Sequence, residues 1–236
     1  MSLVNSWMLR SWVASNGRGA LRLLRLTPRQ SIGVFEGSGP YWEKRYLAGG
    51  NSGPGSYGEL AIFKAKILNE FIAAQNIRSV IEFGCGDGHQ LSLARYPRYL
   101  GLDVSPAAIA RCRTLFAGDS SKEFRTMRNY NSEEADAALS LDVIYHLVED
   151  PVFEKHMTTV FNCARRWVII YSSNYDGPDE NLQPHVRNRK FTNWITTNRP
   201  EWYCTNVIKN EFPFTGDFQT GSQAEFYFFA NRAQVP

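Results

Sequence analysis

The stretch V-I-E-F-G-C-G-D-G occupies residues 80–88 and joins an apolar strand to a loop with glycine at every second position. A loop that leaves a parallel strand must turn sharply, and a ligand approaches the backbone closely only where no Cβ intervenes, so both demands favour glycine. A short amphipathic segment begins at Gln90 and offers free backbone N–H groups behind the loop. The stretch therefore predicts a nucleotide-binding turn at the end of a strand.

A second apolar run, residues 99–102, ends at Asp103, which lies 21 positions after Glu82. In this layout an acid at such a distance accepts hydrogen bonds from both hydroxyls of a ribose. A dinucleotide fingerprint, G-x-G-x-x-G, would need glycine at position 89, but His89 stands there and the third glycine is Gly88. The spacing therefore favours a nucleoside with an unphosphorylated ribose over a dinucleotide.

The pattern E-x-G-x-G-x-G resembles motif I of the class I S-adenosylmethionine-dependent methyltransferases of the bacterial small-molecule type, and residues 99–104 resemble the next motif of that family. The resemblance covers residues 57–175. It implies an α/β fold, with a Rossmann-like, doubly wound seven-stranded sheet that is mostly parallel, an antiparallel strand near the C-terminus, and helices on both faces. It also implies that S-adenosylmethionine is the cofactor. The cofactor-binding residues indicated on these motifs are Glu82, Gly84, Cys85, Gly86, Asp87, Gly88, Asp103 and Val104.

The length of 236 residues suits one well-buried α/β domain with a short extension. We predict an N-terminal arm and cofactor-covering segment over residues 1–56 and a methyltransferase domain over residues 57–236. The four scattered cysteines form no C-x-x-C pair, which indicates reduced thiols in a cytosol and argues against structural zinc. No apolar run reaches 18 residues and residues 1–9 lack a basic leader, so the predicted location is the cytoplasm.

The arm, residues 1–27, combines apolar side chains at helical spacing with arginines. Residues 1–45 carry a net charge of +5 and the remainder −2, within an overall charge of +3. Such a stripe could dock on an anionic membrane surface. The alternative, which we favour, is that it packs on its own core or on a second copy of the chain, with the arginines in solvent.

An aromatic and glycine-rich segment, residues 41–58, precedes the first strand. Many small-molecule methyltransferases have a similar segment that covers the cofactor, and by this resemblance Tyr41, Trp42 and Tyr46 line the cofactor pocket. An aromatic face near a sulfonium is favourable by cation–π attraction. The alternative is that these rings close the edge of the sheet.

Apolar periodicity predicts the remaining elements. The predicted helices are 59–75, 105–116, 151–166 and 188–198, and the further strands are 124–127, 135–141, 167–171 and an antiparallel pair, 202–212 with 225–230. Residues 129–134 are too short for a helix, and by the family resemblance Asn129 and Tyr130 close the adenine pocket.

The fourth strand is followed by D-V-I-Y-H-L, residues 142–147, which resembles the D-V-I-x-H-L segment of bacterial small-molecule methyltransferases. By this resemblance Asp142 meets the methionine moiety of the cofactor, and we count it among the candidate catalytic residues. His146, four residues on, faces the same cleft if the segment is helical, and a neutral imidazole suits a base for a hydroxyl acceptor. His185, in the long loop after the fifth strand, is the second candidate base. Asp142 with Asn174 and Asp176 could hold a divalent cation, but we expect no metal.

Two acceptor classes lack their motifs. The N/D-P-P-Y/F turn of adenine and glutamine methylation is replaced by L-D-V-I, residues 141–144, and none of the cysteines follows proline as cytosine C5 methylation requires. The slightly acidic core argues against a specific nucleic-acid partner. The predicted function is O-methylation, by in-line displacement, of a small hydroxylated acceptor such as a sugar or glycolipid. The alternatives are a non-catalytic binding module acting through the arm, and an N-methyltransferase acting on a protein or another amine.

Overall fold

One sheet of seven strands forms the centre of the part of the chain that the computed structural model describes, residues 35–177 and 183–234. The strands are β1 (Val80–Phe83), β2 (Tyr99–Asp103), β3 (Lys122–Thr126), β4 (Ala135–Leu141), β5 (Ala164–Ser172), β6 (Trp202–Ile208) and β7 (Glu225–Asn231). The helices are α1 (Ser38–Leu47), α2 (Gly58–Ala74), α3 (His89–Ser92), α4 (Pro106–Leu115), α5 (Asp150–Cys163) and α6 (Phe191–Asn198), with short 3₁₀ turns at 54–56, 127–129 and 144–146. The predicted arm, residues 1–27, lies outside the described residues, so both interpretations of it stay predictions.

The strand order is β3-β2-β1-β4-β5-β7-β6. β1 pairs in parallel with both β2 and β4, so that Val80 lies opposite Tyr99 on one side and Ala137 on the other. β7 is antiparallel to both of its neighbours, β5 and β6. The predicted doubly wound, mostly parallel sheet is therefore confirmed. Its direction of winding reverses between β1 and β4, and ligands of such sheets bind in the crevice at that switch point.

Each face of the sheet has its own apolar layer, as expected for parallel strands buried on both sides. Side chains of α2, α3 and α4 pack on one face, and side chains of α5 and α6 pack on the other. All four residues of β1 are buried because helices cover both of its faces. The predicted helices on both faces are thus confirmed.

The predicted ends of the helices and strands agree best with the structure where a helix-capping residue or an acidic residue marks them. Ser105 caps α4, its hydroxyl accepting a hydrogen bond from the Ala108 backbone N–H at 3.1 Å, and β4 occupies the predicted residues 135–141. The predicted helix 151–166 is wrong at its end, because Ala164 already pairs with Ala135 in the sheet. The predicted helix 188–198 begins only at residue 191, since Asn188 is held by the Ser173 hydroxyl at 2.6 Å.

None of the helices in residues 35–177 and 183–234 combines the length and apolarity needed to cross a membrane. Cys85, Cys112 and Cys163 are buried thiols and Cys204 is exposed. All four are free.

Candidate active site

A first cavity of about 470 Å³ opens at the carboxyl ends of the strands around the switch point. Most of the residues predicted to bind the cofactor line it: Trp42, Tyr46, Glu82, Gly84, Cys85, Gly86, Asp103, Val104 and Asp142. Asp87, Gly88 and Tyr41 are not among the described residues that line it. At the predicted adenine end the lining residue is Met127 and not Asn129 or Tyr130.

The glycine loop has the backbone that the sequence pattern demands. Gly84, Gly86 and Gly88 have φ angles of 90°, 58° and 82°, in the left-handed region that side chains disfavour. A Cβ at Gly84 would overlap the Val143 side chain, and one at Gly86 would overlap the Ser52 hydroxyl. The loop is therefore restricted to glycine at both positions by conformation and by space.

Replacing Gly84 with alanine is expected to lower the free energy of unfolding by roughly 2–4 kcal/mol. The cost of a left-handed φ angle for alanine and the cost of its overlap with Val143 add to this total. Urea denaturation measures the loss. Gly118→Ala is the matched control, since a Cβ there meets nothing within 4 Å and the φ angle is ordinary, so its effect should stay within about 0.5 kcal/mol. Equal losses in the two variants would contradict this account of the loop.

Asp103 ends β2 inside the first cavity. Its carboxylate accepts hydrogen bonds from the Gly86 N–H at 3.0 Å and the Ser105 N–H at 2.9 Å, which ties the glycine loop to the neighbouring strand. Burial raises the pKa of Asp103 to about 6. Glu82 accepts a hydrogen bond from the Tyr99 hydroxyl at 2.6 Å, and burial raises the pKa of Glu82 to about 7. Burial in the cavity wall therefore disfavours the ionised form of both acids.

Asp142 stands at the end of β4 with a φ angle of 58°, unusual for a residue other than glycine. One carboxylate oxygen accepts a hydrogen bond from the Lys64 ammonium at 2.5 Å and the other from the Tyr145 hydroxyl at 2.8 Å. The Lys64 side chain is only 1% exposed. A buried lysine is rare unless it is paired, so the ion pair with Asp142 explains how this ammonium is tolerated.

Lys64 is not among the residues that the sequence predicted for the site. The available signal was its place on the apolar face of α2, four residues after Leu60 and four before Leu68, both of which are buried. A lysine on the apolar face of a helix is unusual and can indicate a functional site. Here Lys64 lines the first cavity.

His146 lies in the 3₁₀ turn after β4 and lines both the first cavity and a second one. Its Nδ1 is 3.1 Å from the backbone oxygen of His185. Because a carbonyl can only accept, Nδ1 carries the proton and Nε2 keeps a free lone pair. Burial lowers the pKa of His146 to about 4, so the ring is neutral at pH 7.

The second cavity, of about 350 Å³, shares Trp42, Ser52, Asp142 and His146 with the first. His185 lines it and stacks on Tyr41 with ring centroids 4.0 Å apart. The Tyr41 hydroxyl lies 3.1 Å from His185 Nε2, and burial lowers the pKa of His185 to about 4. The two histidine rings are parallel at 5.4 Å, so the structure brings both candidate bases to one cavity.

The residues considered for a metal ion are engaged elsewhere. Asp142 is taken by Lys64, the Asn174 side-chain oxygen accepts from Thr192, and Asp176 accepts from the Lys190 backbone N–H at 2.8 Å. Within the described residues, no group of three His, Cys, Asp or Glu side chains is placed to hold a metal ion.

Residues 48–57, which join α1 to α2 within the predicted aromatic and glycine-rich segment, are hydrogen-bonded to the glycine loop. The Ser52 backbone N–H donates to the Asp87 carboxylate at 2.9 Å, and the Asp87 N–H donates back to the Ser52 hydroxyl at 2.9 Å. The Tyr57 hydroxyl donates to Asp87 at 2.8 Å, and the Tyr46 hydroxyl lies 2.9 Å from that of Ser52. Asp87 therefore acts as an anchor for the segment over the cavity.

Comparison with known proteins agrees with this geometry. Residues 81–167 match the family model described as a methyltransferase domain. The fold resembles the N-methyltransferase NodS from Bradyrhizobium japonicum in complex with S-adenosyl-L-homocysteine, with a TM-score of 0.63, 15% identity, and 83% of this chain and 99% of that chain covered.

It also resembles magnesium protoporphyrin IX methyltransferase from Synechocystis, with a TM-score of 0.56, 13% identity, and 84% of this chain and 96% of that chain covered. No curated protein sequence matches the chain. At these identities the structural likeness concerns the fold, whereas the family match rests on the sequence itself. Residues 81–167 therefore match a methyltransferase domain, and the fold resembles that of methyltransferases crystallised with S-adenosyl-L-homocysteine.

Proposed function

We propose that this methyltransferase O-methylates a small hydroxylated acceptor, such as a sugar or glycolipid, held in the second cavity. The observation that carries the proposal is His146, which lines both cavities and whose Nε2 lone pair is free while Nδ1 is fixed. Side chains that are neutral and able to hydrogen-bond to hydroxyl groups complete the second cavity: Ser173, Gln183, Asn188, Ser222 and Gln223.

The first cavity fits S-adenosylmethionine, which supplies a methyl group already activated on a sulfonium. The glycines at 84 and 86 bring the backbone of the loop to the wall of this cavity. Asp103 would hold the ribose hydroxyls, and Trp42 and Tyr46 would place aromatic faces by the sulfonium.

His146 has the role of proton acceptor in this proposal. The neutral ring would take the hydroxyl proton on Nε2, and the donor bound in the first cavity would supply the methyl group to the acceptor oxygen, with its sulfur as the leaving group. Trp42, at 4.8 Å between ring centroids, and the backbone of His185 fix the imidazole. Positioning and exclusion of water supply the rest of the rate.

The arrangement favours a hydroxyl over an amine acceptor. An ammonium group needs a carboxylate partner, and the one carboxylate among the described residues of the second cavity, Asp142, also lines the first cavity, where we assign it to the donor. The intact Asp103 contacts and the glycine conformations speak against a non-catalytic module.

The test is methyl transfer from labelled S-adenosylmethionine to fractions of a cell extract. Labelled products that survive acid and base as ethers would support the proposal. Label in products retained by a cation exchanger would favour N-methylation. Binding of S-adenosylhomocysteine without any labelled product would favour the non-catalytic module.

We further propose that Lys64 and Asp142 bind the methionine end of the donor, Lys64 its carboxylate and Asp142 its ammonium. A charged hydrogen bond typically contributes about 1.5–3 kcal/mol, so Lys64→Met should raise the Kd for S-adenosylhomocysteine roughly tenfold or more. Binding of 5′-methylthioadenosine, which has no carboxylate, should change little. Calorimetry measures both.

Because Lys64→Met leaves the Asp142 charge unpaired, Lys64→Met/Asp142→Asn is the matched variant. In the double variant, as in Lys64→Met, the preference for S-adenosylhomocysteine over 5′-methylthioadenosine should be lost. An unchanged preference for S-adenosylhomocysteine in both variants would refute this role of Lys64.

A further inference from the structure

Arg45, in the last turn of α1, lines the second cavity with a charge that no acid of the described chain neutralises. Its neighbour Lys44 differs, because it pairs with Glu36 at 2.8 Å. Among residues 35–177 and 183–234, none of the ion pairs includes Arg45. A cation left without an anion inside a ligand cavity indicates that the ligand supplies one.

The guanidinium of Arg45 is held in place by neutral groups. Its Nε donates to the Asn51 backbone oxygen at 2.6 Å, and one terminal nitrogen donates to the Asn51 side-chain oxygen at 3.3 Å. Its central carbon lies 5.6 Å from the centre of the Trp42 ring. These contacts orient the side chain without neutralising its charge, and they leave further N–H donors for a ligand.

The other ionisable groups of the second cavity do not balance this charge. The Asp142 carboxylate is paired with Lys64. The pKa values of His146 and His185 are lowered to about 4, by burial first and with Arg45 as a further cause, so both rings are neutral at pH 7. The described lining of the cavity therefore carries one uncompensated positive charge.

We propose that the acceptor is an anionic hydroxy compound, whose carboxylate, sulfate or phosphate group pairs with Arg45 while its hydroxyl group receives the methyl group. This inference rests on the proposed methyl transfer. A planar guanidinium binds an oxyanion through two parallel hydrogen bonds, which fixes the orientation of the ligand as well as its affinity. Transfer goes to the hydroxyl oxygen, so the methylated product keeps the negative charge of the acceptor.

The first experiment uses this conservation of charge. Extract is labelled with S-adenosylmethionine carrying a radioactive methyl group, and the small-molecule products are passed over a strong anion exchanger at pH 7. The labelled product should be retained. Label in the unretained fraction would overturn the anionic acceptor while leaving O-methylation in place.

The second experiment uses Arg45→Gln, with Arg98→Gln as the charge-matched control, because Arg98 is exposed and lies outside both cavities. Arg45→Gln should raise the KM for the retained acceptor pool roughly tenfold or more with kcat little changed, whereas Arg98→Gln should behave as the wild type. A change in kcat without a change in KM would contradict an anchoring role.

Binding of inorganic phosphate tests the proposed anion site at Arg45 without requiring methyl transfer. With S-adenosylhomocysteine bound, phosphate should shift the ring NMR signals of His146 and His185 in the wild type and in Arg98→Gln, but not in Arg45→Gln. No shift in the wild type, or equal shifts in Arg45→Gln, would overturn the proposal. Arg45-dependent shifts in a protein that yields no labelled product would instead uphold the anion site and refute the proposed methyl transfer.

Discussion

His146→Ala is expected to lower kcat by roughly 10²–10⁴-fold, the usual range for a positioned general base, while S-adenosylhomocysteine binds as before. The reason is that His146 lines both cavities and that its Nε2 keeps a free lone pair while Nδ1 is fixed. Steady-state kinetics with the labelled donor measures kcat, and calorimetry measures binding of S-adenosylhomocysteine.

The pH–rate profile gives an independent readout. An ordinary imidazole would place the ascending limb near pH 6.5, but burial lowers the pKa of His146 to about 4. Only the neutral ring accepts a proton, so activity should rise with pH around 4 and His146→Ala should lose this limb.

His185→Ala is the control for this base. If it produces the large loss and His146→Ala does not, the base is His185, in the loop after β5. If neither variant matters, positioning alone accounts for the rate, and both histidines are structural.

Asp103→Ala is expected to weaken binding of S-adenosylhomocysteine by about a hundredfold, because two hydrogen bonds to a charged acceptor typically contribute ~3 kcal/mol or more. The carboxylate also holds the Gly86 and Ser105 N–H groups, so part of the loss will come from the loop itself. Affinity for NAD should be negligible in the wild type and the variant. Tight NAD binding by calorimetry would contradict the assignment.

Asp136→Ala is the matched control. Asp136 likewise accepts two backbone N–H groups, from Arg78 at 2.9 Å and Ser79 at 3.2 Å, but at the amino ends of β1 and β4, away from the first cavity. Its loss should leave the Kd for S-adenosylhomocysteine unchanged.

The raised pKa of Asp103 predicts the pH dependence of binding. The ionised carboxylate is the form that accepts from ribose hydroxyls, and its pKa is about 6. Affinity should therefore be constant above pH 7 and fall as the pH drops through 6. Asp103→Asn should remove this fall.

The sequence predicted β1, β2 and β4 well because these strands are apolar runs with clear ends. β4 matched at residues 135–141, where acids stand immediately before the run and Asp142 follows it. The start of β5 was not predicted, because residues 164–166 show no periodicity of their own. They belong to the strand because β5 pairs with β4. Tertiary pairing overrides local pattern at such boundaries.

The candidate site was predictable where one motif contains the residues and not where distant segments meet. The Gly84–Gly88 loop and Asp103 follow from local spacing, and Asp142 from the resemblance of residues 142–147 to a family segment. The Lys64–Asp142 pair joins residues 78 positions apart, and the neutral state of His146 depends on burial that no local pattern encodes. The proposed role of Arg45 likewise depends on its lack of an acidic partner among the described residues, which the sequence does not reveal.

The position of β7 affects how the chain can fold during synthesis. β7 follows β6 in sequence but lies between β5 and β6 in the sheet. Until residues 225–231 have been made, β6 has no strand to pair with and β5 exposes a hydrogen-bonding edge beside buried side chains such as Ile169 and Ile170. An exposed strand edge of this kind invites aggregation. A nascent chain that stalls before residue 225 is therefore expected to require chaperone protection, even though its glycine loop and both candidate bases have already been synthesised.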